Sequence, residues 1–148
     1  MEFIVGITLA LLFCSAAAGL GMDRERVFYP AVVMAVASYY LAFAAADGRR
    51  GVMLSEVTIA AVFIVAAVVG FKRSPWIAVA ALAGHGLMDL FHAHLVHNTG
   101  VPHAWPGFCA SFDVTAGAVV ALVMLARARG ERVKQSVGSQ SGTSVKGM

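Results

Sequence analysis

Glu56, Asp89 and Asp113 lie inside long apolar stretches, and His85 and His92 flank Asp89 in the run Gly84-His85-Gly86-Leu87-Met88-Asp89-Leu90-Phe91-His92. Imidazole with carboxylate is the ligand set of zinc and related divalent ions. A helix turns ~100° per residue, so Asp89 lies ~40° to one side of His85 and His92 ~20° to the other. The three form one polar stripe, and His85, Asp89 and His92 are the expected metal ligands. Glu56 and Asp113 are the expected catalytic carboxylates. Asp113 is also an alternative ligand to Asp89, and Glu56, secluded from water, is the candidate general base. A bound divalent metal such as zinc would let its water ionise near pH ~7 and so supply hydroxide.

The same residues have a plainer use. Hydrogen bonds among His85, Asp89 and Asp113 could simply tie helices together. His94 and His97 fall on another face, and His97 and His103 near an aqueous mouth read as solvated surface residues. The two cysteines, Cys14 and Cys109, make no disulfide framework. Cys14 reads as apolar filler. Cys109, beside the histidine-rich stretch, keeps a weak ligand role.

What must position these groups is an all-α helix bundle in a membrane. Of the 148 residues, 59% are hydrophobic and 13% charged, against ~45–50% and ~25% in a soluble domain. The excess falls in blocks of roughly 20 residues, the length that crosses a hydrocarbon core. A chain this short has too little interior to hide five of them. The blocks predict transmembrane helices at roughly residues 3–22, 27–46, 52–71, 75–97 and 109–126. Pro30 and Pro75 fall in first turns, where a missing N–H costs little. The first block has no Lys or Arg ahead of it, and Phe13 precedes Cys14. It therefore reads as a retained helix rather than a signal peptide. The transmembrane domain thus covers residues 1–126. The tail, 127–148, is rich in Gly, Ser, Gln and Lys and is expected to be disordered and cytoplasmic. Residues 98–108 hold Gly100, Pro102, Pro106 and Gly107, the composition of a defined turn. Trp105 and Phe108 suit an interface belt.

Charge placement predicts direction. Arg24, Arg26, Lys72, Arg73, Arg127, Arg129, Arg132 and Lys134 fall at one end of a five-span bundle, and Arg49 and Arg50 at the other. The positive-inside rule then puts the N-terminus outside and the C-terminus inside. At ~1.5 Å per residue, Glu56, Asp89, His92 and Asp113 come within one or two turns of a common depth. The acids played no part in setting that direction. Their convergence predicts a shared site in the outer half of the third to fifth helices, with His85 deepest.

The stretch from Gly84 to Gly117 carries His85-x3-Asp89-x2-His92, Trp105-Pro106, Phe108-Cys109 and Asp113-x3-Gly117. In these residues it resembles an uncharacterised family of small bacterial integral membrane proteins. The resemblance covers about a quarter of the chain and implies a membrane protein. The expected location is the cell membrane, multi-pass, as in the inner membrane of a bacterium. His85, Asp89 and His92 give a fainter similarity to the alkaline ceramidase-like membrane hydrolases. Those enzymes hold zinc with histidines and use a nearby Asp and Ser, so this similarity implies metal-dependent hydrolysis. The present chain departs from them in having five predicted helices rather than seven, with no second histidine pair on a later helix.

Three functions follow from these features. The first is a metal-dependent membrane enzyme, hydrolytic in kind. The second is a sensor or carrier of a metal ion or of protons. Residues 60–70 and 114–125 hold no ionisable group, which removes the polar access from a second side that a carrier needs. The third is a subunit of a membrane complex or a homo-oligomer. It fits the small size and the small-residue pairs Ser15/Gly19, Ser38/Ala42, Ala80/Gly84 and Gly117/Ala121. The net charge of +3 does not signal nucleic acid, because the Lys and Arg sit in short loops and the tail without a basic face. All histidines lie on one helix or its loop, which argues against a bis-histidine haem.

Overall fold

The computed structural model describes the backbone of residues 1–144 and the side chains of residues 1–136. Five helices account for most of the chain: α1 Glu2–Gly19, α2 Phe28–Asp47, α3 Arg50–Lys72, α4 Pro75–Leu95 and α5 Trp105–Ser144. A single 3-10 turn, Met22–Arg24, links α1 to α2. No strand occurs among the described residues. All five helices are long and apolar enough to cross a membrane.

Helix ends follow local chemistry. Ser74 is extended and Pro75 sits in the first turn of α4, where its ring pre-sets the helical φ. α4 stops at Leu95, with Val96 already extended, two residues short of the predicted end. α5 begins at Trp105 rather than Cys109. Pro106 is the reason, because it favours the first turn of a helix over a loop interior. α5 also runs past Ala126 to Ser144, where the composition predicts a disordered tail. The segment just beyond Ala126 is rich in Arg, Ala, Glu, Lys and Gln, all good helix formers. A helix continuing from an anchored span needs no new nucleus. Residues 145–148 lie outside the described part.

The helices alternate in direction. Arg26 donates to the Lys72 carbonyl (3.2 Å), and Arg127 pairs with Asp23. These bonds gather the 23–26 turn, the 72–74 turn and the far part of α5 at one end. At the other end Asp47 bonds Thr99, and Gly107 packs on Glu2 and Phe3. α4 is the hub, packed against α5, α3 and α2, while α1 leans on α5 and α2 on α3. Among the described residues α4 is also the most enclosed span, 44% buried against 22% for α1 and α3. Much of the outer surface is apolar: Leu9, Leu12, Leu54, Val62, Val65, Leu90 and Leu122 are all exposed. So broad an apolar surface marks an interaction with something other than water.

Two of the apolar clusters sandwich a polar layer. The larger one joins Ala10, Val33, Ala67, Leu82, Ala116 and Val120. The smaller one, beneath the 96–104 loop, joins Ala44, Val52 and Val96. Along the helices between them come Tyr40 on α2, Glu56 on α3, His85, Asp89 and His92 on α4, and Asp113 on α5, every one of them buried.

Candidate metal centre

The close seam between α4 and α5 builds the first half of the site. A Cβ on Gly86 would stand 2.8 Å from Asp113 Cβ and 2.9 Å from the Ala110 carbonyl oxygen. Only glycine allows that approach, and it delivers Asp113 to the face of α4 that carries His85 and Asp89. His85 Nδ1 lies 2.8 Å from Asp113 Oδ2 and 3.4 Å from Asp89 Oδ2. The longer distance is within ion-pair reach but is not aligned as a hydrogen bond, and both Asp89 oxygens lack a partner. Asp113 Oδ1 lacks one as well. Phe63 meets His85 edge-on at 4.8 Å and walls the cluster off from the apolar core.

The second half lies nearer the loop. His92 Nε2 is 2.9 Å from Glu56 Oε1. The same oxygen accepts from Asn98 Nδ2 at 2.9 Å, while Glu56 Oε2 has no partner. Tyr40 connects the halves. Its ring stacks on His92 with centroids 4.0 Å apart and lies 6.2 Å from His85. Its hydroxyl faces Asp89 without forming a well-aligned bond.

The residues singled out by sequence therefore separate into two groups. His85, Asp89 and Asp113 come together, offering one ligand atom each with all three within 4.8 Å of one another. His92, an expected ligand, sits instead with Glu56. Asp113, expected first as a catalytic carboxylate, joins His85 and Asp89. His94, His97 and His103 are exposed. Cys109 is buried and free, beside Asp89 and Asp113 but outside the trio. Tyr40 and Asn98 were not legible as site residues. The one available hint for Asn98 was its place directly after the histidine run.

A rim closes the loop end. Arg49 grips Asp47 through Nε and Nη2, both at 2.7 Å, and also donates to the His97 carbonyl. Asp47 accepts from the Thr99 backbone N–H at 2.8 Å and its hydroxyl at 2.6 Å. The Asp47 carboxylate holds the Arg49 guanidinium above its ordinary range, so the grip stays charged. A Cβ on Gly100 would collide with the Phe43 carbonyl, so glycine lets the loop lie flat on α2. Beneath this loop a vestibule of about 340 Å³ is lined by His97, Asn98 and His103, with His92 reaching it from α4.

The chemistry of the trio fits a cation. Two buried carboxylates share one imidazole, so when both are ionised a negative charge remains even with His85 protonated. An uncompensated buried charge costs several kcal/mol. Donor atoms around one zinc at ~2.0–2.2 Å stand no more than ~4.4 Å apart, so small side-chain shifts would close the trio on an ion. No family profile, curated protein or solved structure matches the chain.

Proposed function

We propose that the chain is an integral membrane protein that holds one divalent cation with His85, Asp89 and Asp113, and that it is a metal-dependent membrane hydrolase. The observation that carries this is the set of unpartnered oxygens, two on Asp89 and one on Asp113, buried around a single imidazole. A dication held by one oxygen of each carboxylate and by the imidazole would balance the charge of the pair. Its bound water would ionise near pH ~7. Glu56, with one free oxygen and a fixed partner in His92, would take the proton from that water. The ion would supply hydroxide for attack on an acyl substrate, and Glu56 would hold the proton for the leaving group.

In this reading the bundle crosses the cell membrane with its N-terminus outside. The eight Lys and Arg grouped at the 23–26, 72–74 and 127–134 end support that direction, and the vestibule then faces outward. Transport fits less well, because the half of the bundle away from the vestibule is filled by the larger apolar cluster.

Metal analysis of purified protein reloaded with zinc tests the proposal. Wild type should hold one equivalent, and His85→Ala and Asp113→Asn should each lose at least tenfold in affinity. His92→Ala should keep the metal. Absence of stoichiometric metal in wild type would leave the cluster as an interhelical tie, and equal loss in all three variants would dissolve the two-group arrangement.

A further inference from the structure

α2 packs on α3 and α4, and α1 packs on α5, but the backbones of α2 and α5 stay apart. The gap is a slot of about 420 Å³, walled by Phe13 of α1, Val32 and Val36 of α2, and Phe108 and Phe112 of α5. Its lining is mostly apolar, and Asp113 of the candidate trio is its one carboxylate, with Tyr39 and Cys109 as further polar members. Asp113 is fully buried, and its Oδ1 has no partner. Trp105 also lines the slot, and its indole N–H is likewise unpartnered.

Aromatic contacts stop the slot at both ends. Phe13 stacks on Phe28 at 5.7 Å. Trp105 meets Tyr39 at 5.4 Å and Phe43 at 5.1 Å. The slot runs beside residues 32–39 of α2 and 105–113 of α5, a stretch that would sit within a hydrocarbon core. Such a lining suits an occupant that is slender, apolar and supplied from the side. The volume is that of a small-molecule pocket, whose range is ~300–1,000 Å³.

We propose that the slot takes one acyl chain of a bilayer phospholipid and lays it along α5 against the wall that carries Asp113. An acyl-bearing lipid is then the substrate class of the buried cluster. This rests on the membrane and metal reading above, and it adds the direction of approach: sideways from the bilayer, not down through the vestibule.

Fluorescence tests it. Trp76→Phe leaves Trp105 as the single tryptophan. In detergent micelles, a phosphatidylcholine brominated on its acyl chain should quench Trp105 saturably, at one lipid per protein. Val36→Phe, which fills the slot, should weaken that binding about tenfold. Val32→Phe serves as a second filling variant should the first fail to fold. Quenching that rises without saturation and is the same in the folded filled variants overturns the proposal. Saturation by the free brominated fatty acid but not by the phospholipid overturns it too. Zinc content measured on the same samples separates the two claims. Saturable quenching without metal leaves the slot standing and the metal reading lost, and metal without saturable quenching does the reverse.

Discussion

Glu56 shows how one buried oxygen can organise a site. Its Oε1 takes both His92 and Asn98, linking α3 to α4 and to the loop that follows it. Glu56→Leu would strand two buried polar groups, and each such loss costs about 1–3 kcal/mol. The midpoint of thermal unfolding in detergent should fall clearly, while Glu56→Gln, which keeps an acceptor, should fall much less. An unchanged midpoint in Glu56→Leu would show that the bond contributes nothing. At this scale the sequence was informative where an ionisable group interrupted an apolar run, because burying such a group demands a reason. That singled out Glu56, His85, Asp89, His92 and Asp113. Tyr40 and Asn98 break no pattern, since Tyr is at home in an apolar helix and Asn in a loop. The split into two groups was also hidden: a helical wheel fixes angles on α4 alone and says nothing of which neighbour meets which turn.

The elements divide the labour unevenly. α4 carries three of the buried ionisable groups and touches three other helices, and its register against α5 depends on Gly86. Gly86→Ala should push α5 outward and take Asp113 with it. Zinc affinity should drop about tenfold or more, the effect of misplacing one ligand by an ångström or so, with helical circular dichroism unchanged. Gly84→Ala is the matched control, because nothing lies within 4 Å of a Cβ there. Equal zinc affinity in both variants would show that the seam does not set the ligands. Helix number and approximate extent could be read from apolar block length alone. The seam could not. The small-residue pairs in the sequence suggested close contacts at Gly19 and Gly84, both of which face open space. Gly117 does pack, on Ala83. In so alanine-rich a chain, spacing does not distinguish a packed face from a free one. Composition does not place the end of α5 for a related reason: low apolar content argues against packing, but it does not argue against a helix.

For the molecule as a whole, the alternation of helices puts two very different ends on the bundle. One carries the basic turns, with Arg24, Arg26, Lys72 and Arg73, and the other the loop that covers the polar layer. If the basic end is cytoplasmic, a cysteine placed at His103 should react with a membrane-impermeant maleimide in intact cells, in a background where Cys14 and Cys109 are replaced by alanine. A cysteine at Ser136 should react only after lysis. The opposite labelling would invert the bundle and turn the vestibule inward.

The grip of Arg49 on Asp47 and the His97 carbonyl has a consequence of its own. It ties the turn between α2 and α3 to the loop after α4, over the vestibule that His92 reaches. The Arg49 side chain is half exposed while Asp47 is enclosed, so salt weakens the pair only as far as water reaches the guanidinium. If the buried layer holds a cation, it would then have a clock as well as an affinity. How long a cation stays would be governed by how often this latch lets go, and that frequency follows the ionic strength of the medium bathing the loop. On the proposed metal reading, the ligands would decide whether an ion is held, and the medium would decide how quickly it is exchanged.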